Sequence, residues 1–420
     1  MTSDSISKSK LWNKNFFLLW QGQLVSMLGD AIYIMALNFW VLDITGSTAM
    51  MGLLSALTML PRVLVGPFAG VFVDRLDRKK IIVFTDFIRG IFVTFVGIAA
   101  LRGFIQVWMV FVVGIIDGLC AAFFDPAASS VKPDIVPEDK LMNANSVTSL
   151  AQSSMSMLGN AIGGILYIAI GASYMFLFNG ISYIFSSITE LFISVPKVER
   201  KNTEITFFED FKEGLVFLKD FRLLRNSLIC ASLMNFFTNS AFILMVPYFK
   251  ETQFLGIEKY GFAMTMMSFG TLVGSLILAI VTIKKEHKFR LFVVSSLGNL
   301  TLFLGFMITN NYYLMLLFIF LALVCNIFLN TMISTSMMSV LPGEMRGKIL
   351  AINSTISMGL IPIGQCLGGI LGELLPIRIV MISLLSCSFI SGMFFIKVRH
   401  LNKFIEYDSS VDNLEKLIKD

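Results

Sequence analysis

Charge is scarce in this 420-residue chain: Asp, Glu, Lys and Arg make up 15% of it, against 56% hydrophobic residues. Soluble domains draw about a quarter of their residues from the charged set, so this balance excludes a water-soluble globular class. Histidine occurs only twice, at His287 and His400, both in basic stretches, which argues against a histidine-based metal or catalytic centre. The five cysteines (Cys120, Cys230, Cys325, Cys366 and Cys387) lie inside apolar runs without metal-ligand spacing and read as small apolar fillers. Long polar segments are lacking too, because the longest, 196–225, is too short to fold alone. No clustered nucleophile or paired acid and base suggests an enzyme, and no cofactor is expected. Gly343-Glu-Met-Arg-Gly347-Lys348 lacks the spacing of a phosphate loop. No cleavable leader is expected, since Lys8, Lys10 and Lys14 precede an apolar run longer than a signal-peptide core.

Apolar runs fill the space that charge leaves. A helix crosses the hydrocarbon core with about 20 mostly apolar residues. Runs of that kind lie near 15–42, 48–73, 81–101, 105–125, 143–170, 173–195, 226–249, 258–283, 289–309, 311–335, 348–373 and 376–396. They predict an all-α membrane protein with twelve transmembrane helices in two six-helix bundles, at 15–195 and 226–396. A 1–14 N-terminal segment, a 196–225 linker and a 397–420 tail complete the chain. Lys and Arg set the expected orientation. With both termini inside, the cytoplasmic segments hold 27 of them and the external loops only Arg102, Lys250, Lys259 and Arg378. The net charge of +5 then reflects insertion and anionic lipid, and no nucleic-acid partner is expected.

The chain repeats itself. Residues 137–166 and 342–371 align without a gap: Pro137 matches Pro342, Ser149 matches Ser354, and Gly159-Asn160-Ala161-Ile162-Gly163-Gly164 matches Gly364-Gln365-Cys366-Leu367-Gly368-Gly369. Two six-helix halves in the same orientation make a parallel repeat. Gly159, Gly163, Gly164, Gly364, Gly368 and Gly369 allow close helix approach, and Pro362 allows a kink. In the linker, Phe208, Phe211, Leu215 and Leu218 recur at helical spacing, which predicts an amphipathic helix along the inner membrane face.

One short loop reads Gly70-Val-Phe-Val-Asp74-Arg75-Leu-Asp77-Arg78-Lys79-Lys80. It resembles the signature loop of the major facilitator superfamily, with Asp77 where the usual form has glycine. Gln23-Leu-Val-Ser26-Met-Leu-Gly29-Asp30, Gly66-Pro67-Phe-Ala-Gly70 and Val136-Pro137-Glu-Asp-Lys-Leu141-Met-Asn143-Ala-Asn145-Ser146 are similar to segments of its drug–proton antiporter branch, which includes macrolide exporters. The resemblance covers the whole chain. It implies a secondary transporter in a bacterial inner membrane that works by alternating access. The expected cargo is an amphiphilic, drug-like compound exchanged for protons, and the expected state is a monomer. An endogenous amphiphile, such as a siderophore or lipid-linked glycan, is the alternative cargo. The loop residues Gly70, Asp74, Arg75, Arg78 and Lys79, with Asp125 at the end of span four, are expected to form a gate at the cytoplasmic edge.

Ionisable residues inside a bilayer usually face a polar interior and carry function. Asp30, Arg62 and Asp117 each fall about halfway along their spans. Asp30 or Asp117 is expected to carry the coupling proton, with Arg62 setting which acid stays ionised, or else forming a static pair with Asp30. Asp86 and Arg89 read as a structural pair nearer the cytoplasmic edge. The superfamily fold implies a central cavity lined by helices one, four, seven and ten. Gln23, Ser26 and Tyr33 share a stripe with Asp30, and Asn235 with Asn239 and Asn326 with Asn330 are each four apart on one helix face. These are the expected substrate-cavity residues. Two family features are missing: an Arg in span four, where the run is Gly114-Ile-Ile-Asp117-Gly118, and a proline after Gly159.

Overall fold

The computed structural model describes residues 10–195, 207–281, 283–341 and 343–407. Among them the chain is helical apart from short connections, and no strand occurs. The first half comprises α1 (Lys14–Thr45), α2 (Thr48–Arg75), α3 (Arg78–Leu101), α4 (Val107–Ile135) and α5 (Leu141–Leu191). Then come α6 (Phe207–Asp220), α7 (Arg222–Phe242), α8 (Met245–Glu251), α9 (Ile257–Ile280) and α10 (Lys285–Ile308). The chain continues through α11 (Tyr312–Val340), α12 (Gly343–Leu374), α13 (Ile377–Ile396) and α14 (Leu401–Ile405). Among the described residues, eleven helical stretches are long and apolar enough to cross a membrane. The longest holds two of the twelve predicted spans, because α5 breaks at Gly171, whose φ of 76° is open to glycine and costly for other residues. Each of the twelve apolar runs is therefore helical.

Local sequence explains the breaks. The Asn13 side chain accepts from the Phe16 amide at 3.0 Å and starts α1, while its own amide donates to the Ile135 carbonyl at 2.8 Å. That second bond ties the start of α1 to the end of α4. Gly46, at φ 63°, ends α1 in the left-handed conformation. Ser47 then caps α2 by accepting from Met50 N.

The chain forms two compact units, 1–204 with 257–265 and 205–256 with 266–420. In the first unit, α5 packs along α1 and α3, and α2 packs along α4. In the second, α7 packs along α12 and α13, and α10 along α11. The repeated glycines make equivalent contacts. A side chain at Gly159 would meet Ala31 of α1, and one at Gly163 would meet Met35 of α1. One at Gly364 would meet Phe236 and Ser240 of α7, and one at Gly368 the Ser240 carbonyl. The fifth span of each half thus lies on the first span of that half, with glycine removing the side chains that would separate them. Gly164 faces the backbone of Ile257 at the start of α9. Gly369 is buried.

The linker helix α6 presents Leu218 and the adjoining Phe221 to the apolar core of the second unit, where Phe292, Leu341 and Leu401 also lie. Leu215 is exposed. The side chains of Phe208 and Phe211 lie outside the described residues. Within the tail, α14 buries Leu401, Phe404 and Ile405 in the same core, so this short piece is part of the unit.

Candidate functional site

Four acids and one arginine meet inside the first unit. Asp30 comes from α1, Asp86 and Arg89 from α3, Asp117 from α4 and Glu190 from α5. Arg89 is the hub. Its Nε donates to Asp117 Oδ1 at 2.7 Å, and its Nη1 lies 3.7 Å from Asp86 Oδ1. The guanidinium also stacks over the Tyr183 ring, 4.0 Å from its centre. Tyr183 bridges the two mid-span acids. Its hydroxyl donates to Asp30 Oδ1 and lies 3.5 Å from Asp117 Oδ1. A phenol has one proton, so it serves one acid at a time. Asn179 supports Asp30 from the same helix, with Nδ2 3.3 Å from Oδ1.

Small residues let these groups converge. A side chain at Gly29 of α1 would collide with Asn179 and Ser182 of α5, and one at Gly22 with Thr189 and Ser186. Gly90 of α3 meets α5 at Ile184 and Gly180 in the same way. Burial of this kind is costly for charge unless partners supply hydrogen bonds. One guanidinium balances one carboxylate, which leaves three further acids in the set without a cation of their own.

Arg62 does not join this cluster. It pairs with Asp125 of α4, and the two side chains are 56% and 48% exposed. The cation beside Asp117 is instead Arg89, whose pairing with Asp86 is one part of a wider network and not an isolated local pair. The reason is a helix boundary. α3 begins at Arg78, before the apolar run itself, which puts Arg89 near the middle of the helix. Asp125 also moves, because α4 continues to Ile135 and places it well inside the helix. The acid that faces the signature loop is Asp134. Arg78 Nη1 donates to Asp134 Oδ2 at 2.8 Å and to the Ser130 carbonyl at 3.1 Å. Asp77 accepts from the amides of Lys79 and Lys80 and caps α3. That explains an aspartate at the family's glycine position, since φ is −73° and no left-handed conformation is needed. Arg75 and Lys79 belong to the same turn. A side chain at Gly70 would meet nothing within 4 Å, and the Asp74 side chain lies outside the described residues.

Gln23, Ser26 and Tyr33 are buried within the first unit, and Ser26 donates its hydroxyl to the Gln23 carbonyl at 3.1 Å. Tyr33 packs edge-on against Phe176, and its hydroxyl has no hydrogen-bond partner among the described residues. These three side chains present little surface. In the second unit, Asn235, Asn326 and Asn330 line a small cavity of ≈ 80 Å³ together with Thr238, Ser296 and Asn299. Asn330 donates to Asn326 Oδ1 at 2.8 Å, and Asn239 donates to the Asn235 carbonyl at 2.8 Å. Among the described residues, no group of three or more His, Cys, Asp or Glu could hold a metal ion.

Tyr183, Asn179 and Glu190 were not singled out from sequence. An intramembrane tyrosine or asparagine is common, and Glu190 falls in the last turn of its span. Glu190 is nonetheless fully buried.

The helices form a multi-span membrane fold with charge buried near mid-span, and the family and relatives that the chain matches are membrane transporters, not enzymes. The chain matches the transmembrane secretion effector family over residues 6–417, and it belongs to that family, a branch of the major facilitator transporters. It is 30% identical over 276 residues to macrolide efflux protein A of Streptococcus pyogenes, covering 64% of this chain and 68% of that one. It is 28% identical over 297 residues to the putative bacilysin exporter BacE of Bacillus subtilis, covering 67% and 70%. Among solved structures, a bacterial homologue of the iron transporter ferroportin matches 91% of this chain and 98% of its own, with TM-score 0.72 and 16% identity. That last likeness concerns the fold alone.

Proposed function

We propose that this transporter exports amphiphilic, drug-like compounds in exchange for protons by alternating access, with macrolides the first class to test. It would sit in a bacterial inner membrane with both termini cytoplasmic. The observation that carries the reading is the buried cluster of Asp30, Asp117, Arg89 and Tyr183, in which one cation serves several acids. Proton entry at Asp30 or Asp117 removes the charge that holds Arg89, and cation and acid then rearrange. Such a change biases two conformations, which is what coupling requires. The relative named for macrolide efflux supports the direction of transport and the cargo class. Asn235, Asn326 and Asn330 would offer a cargo amide contacts and no charge, and the ≈ 80 Å³ cavity that they line is below the size of a drug-sized pocket in this conformation.

The relatives carry different named cargoes, macrolides and bacilysin, and this supports a second reading. In it the cargo is an endogenous amphiphile, such as a siderophore or lipid-linked glycan.

The test is a growth-inhibition panel in a pump-deficient bacterial host, comparing wild type with Asp30→Asn at matched expression. Raised tolerance to one or more amphiphilic compounds, lost in Asp30→Asn, is the expected result. Unchanged tolerance across the panel refutes the drug-like cargo, and equal protection by the variant refutes the role of Asp30.

A further inference from the structure

Beneath the mid-span acids lies a second pair that the coupling scheme leaves unused. Asp86 stands three residues before Arg89 on α3, about one helical turn or ~4.5 Å nearer the Arg78 end. Glu190 stands in the last turn of α5. Both ends are those that the Lys and Arg pattern assigns to the cytoplasmic side. Asp86 is 1% and Glu190 0% exposed. Neither Asp86 oxygen, nor Glu190 Oε2, has a hydrogen-bond partner among the described residues. Ser186 donates to Glu190 Oε1 at 3.4 Å and lies beside Asp86 as well. The charged or titratable groups around Asp86 are Arg89 on its own helix, Glu190 of α5, Asp117 and Cys120 of α4 and Asp30 of α1.

We propose that Asp86 and Glu190 hold a second exchangeable proton, and that Arg89 moves from Asp117 to Asp86 when the mid-span acids take up theirs. The proposal rests on the coupling role of Asp30 and Asp117 stated above. Arg89 is already placed for the exchange. It holds Asp117 at 2.7 Å with Nε, and its Nη1 is 3.7 Å from Asp86. A shift of about 1 Å brings that second contact to the length of a charge-assisted hydrogen bond. The step balances. An O–H bond forms on Asp117 with a proton from the outer side, and the Arg89–Asp117 ion pair is lost. The guanidinium, still charged, closes on Asp86. The Asp86 O–H bond breaks, and its proton leaves past Ser186 and Glu190 to cytoplasmic water. One proton enters and one leaves, so the unit conducts without holding extra charge in the bilayer, where each unpaired charge is costly.

The test is infrared spectroscopy of the purified full-length protein in lipid nanodiscs, read at the C=O stretch of protonated carboxyl groups. Wild type should show intensity that Asp86→Asn or Glu190→Gln removes. Asp117→Asn, with Arg89 released onto Asp86, should remove the Asp86 share. Asp117→Glu, which restores a carboxylate for Arg89, should bring it back. If Asp117→Asn yields no folded protein, Asp117→Ser takes its place. The proposal fails if no such band depends on Asp86 or Glu190, or if the Asp86 share is unchanged in Asp117→Asn. Gradient-driven efflux in the same variants separates the two claims. Loss of efflux in Asp117→Asn with an unmoved band removes the Arg89 exchange and leaves the coupling role intact. Full efflux in both Asp30→Asn and Asp117→Asn removes both.

Discussion

Replacing Arg89 with glutamine should destabilise the first unit far more than any other single loss of charge. Its Nε bonds Asp117 at 2.7 Å, its guanidinium covers the Tyr183 ring at 4.0 Å, and Asp86 lies 3.7 Å away. The residue is 9% exposed, so water cannot replace these partners. Removing one partner of a buried ion pair costs about 3–5 kcal/mol, much of it from the charge left behind. Asp117→Asn removes that residual charge. The double variant Arg89→Gln/Asp117→Asn should therefore be less damaged than the sum of the two single changes, by about 1–3 kcal/mol. Detergent-solubilised protein can be unfolded with SDS and followed by tryptophan fluorescence, at one fixed pH for all four proteins. Additivity of the two changes within about 0.5 kcal/mol would refute the pairing, as would a loss below about 1 kcal/mol in Arg89→Gln alone.

Other changes separate the local roles. Asp77→Ala should cost about 1 kcal/mol by removing the α3 cap, whereas Asp77→Gly should cost a few tenths, a difference that thermal unfolding can resolve. Gly368→Ala drives a methyl group into the Ser240 carbonyl and should cost about 1–3 kcal/mol, while Gly70→Ala meets nothing within 4 Å and should stay near wild type in the same assay. Asp134→Asn weakens a pair whose side chains are 20% and 14% exposed and should cost about 1.5–3 kcal/mol. Asp125→Asn, whose partner Arg62 is half-exposed, should change stability by no more than about 1 kcal/mol.

The fold was legible because membrane helices are written in long apolar runs, and because the glycines that seat the fifth span on the first recur at one offset in both halves. The site was legible only in part. Asp30 and Asp117 stand out as isolated acids within apolar sequence. Their cation does not, because choosing between Arg62 and Arg89 needs the start of α3, and the polar residues Arg78, Lys79 and Lys80 hide it. Hydropathy marks where a helix leaves lipid, whereas Asp77 capping marks where the helix begins, three residues before the apolar run. Likewise α4 extends to Ile135 past Asp125, through Pro126 and Pro133, so the partner of the loop arginine is Asp134. Tyr183 and Asn179 carry no signal of their own in one sequence, since their roles come from lying opposite Gly29 and Arg89. Glu190 resembles a residue at the membrane edge until the packing of α1 and α3 over it is seen.

The most direct test uses protein reconstituted into vesicles with a trapped pH-sensitive dye and a radiolabelled macrolide, under an imposed pH gradient and no ATP. Cargo movement against the proton flow, with a matching change in dye signal, is expected for wild type and should be absent in Asp30→Asn or Asp117→Asn. Macrolide accumulation that ignores the gradient, or that persists unchanged in both variants, would contradict proton exchange at these acids.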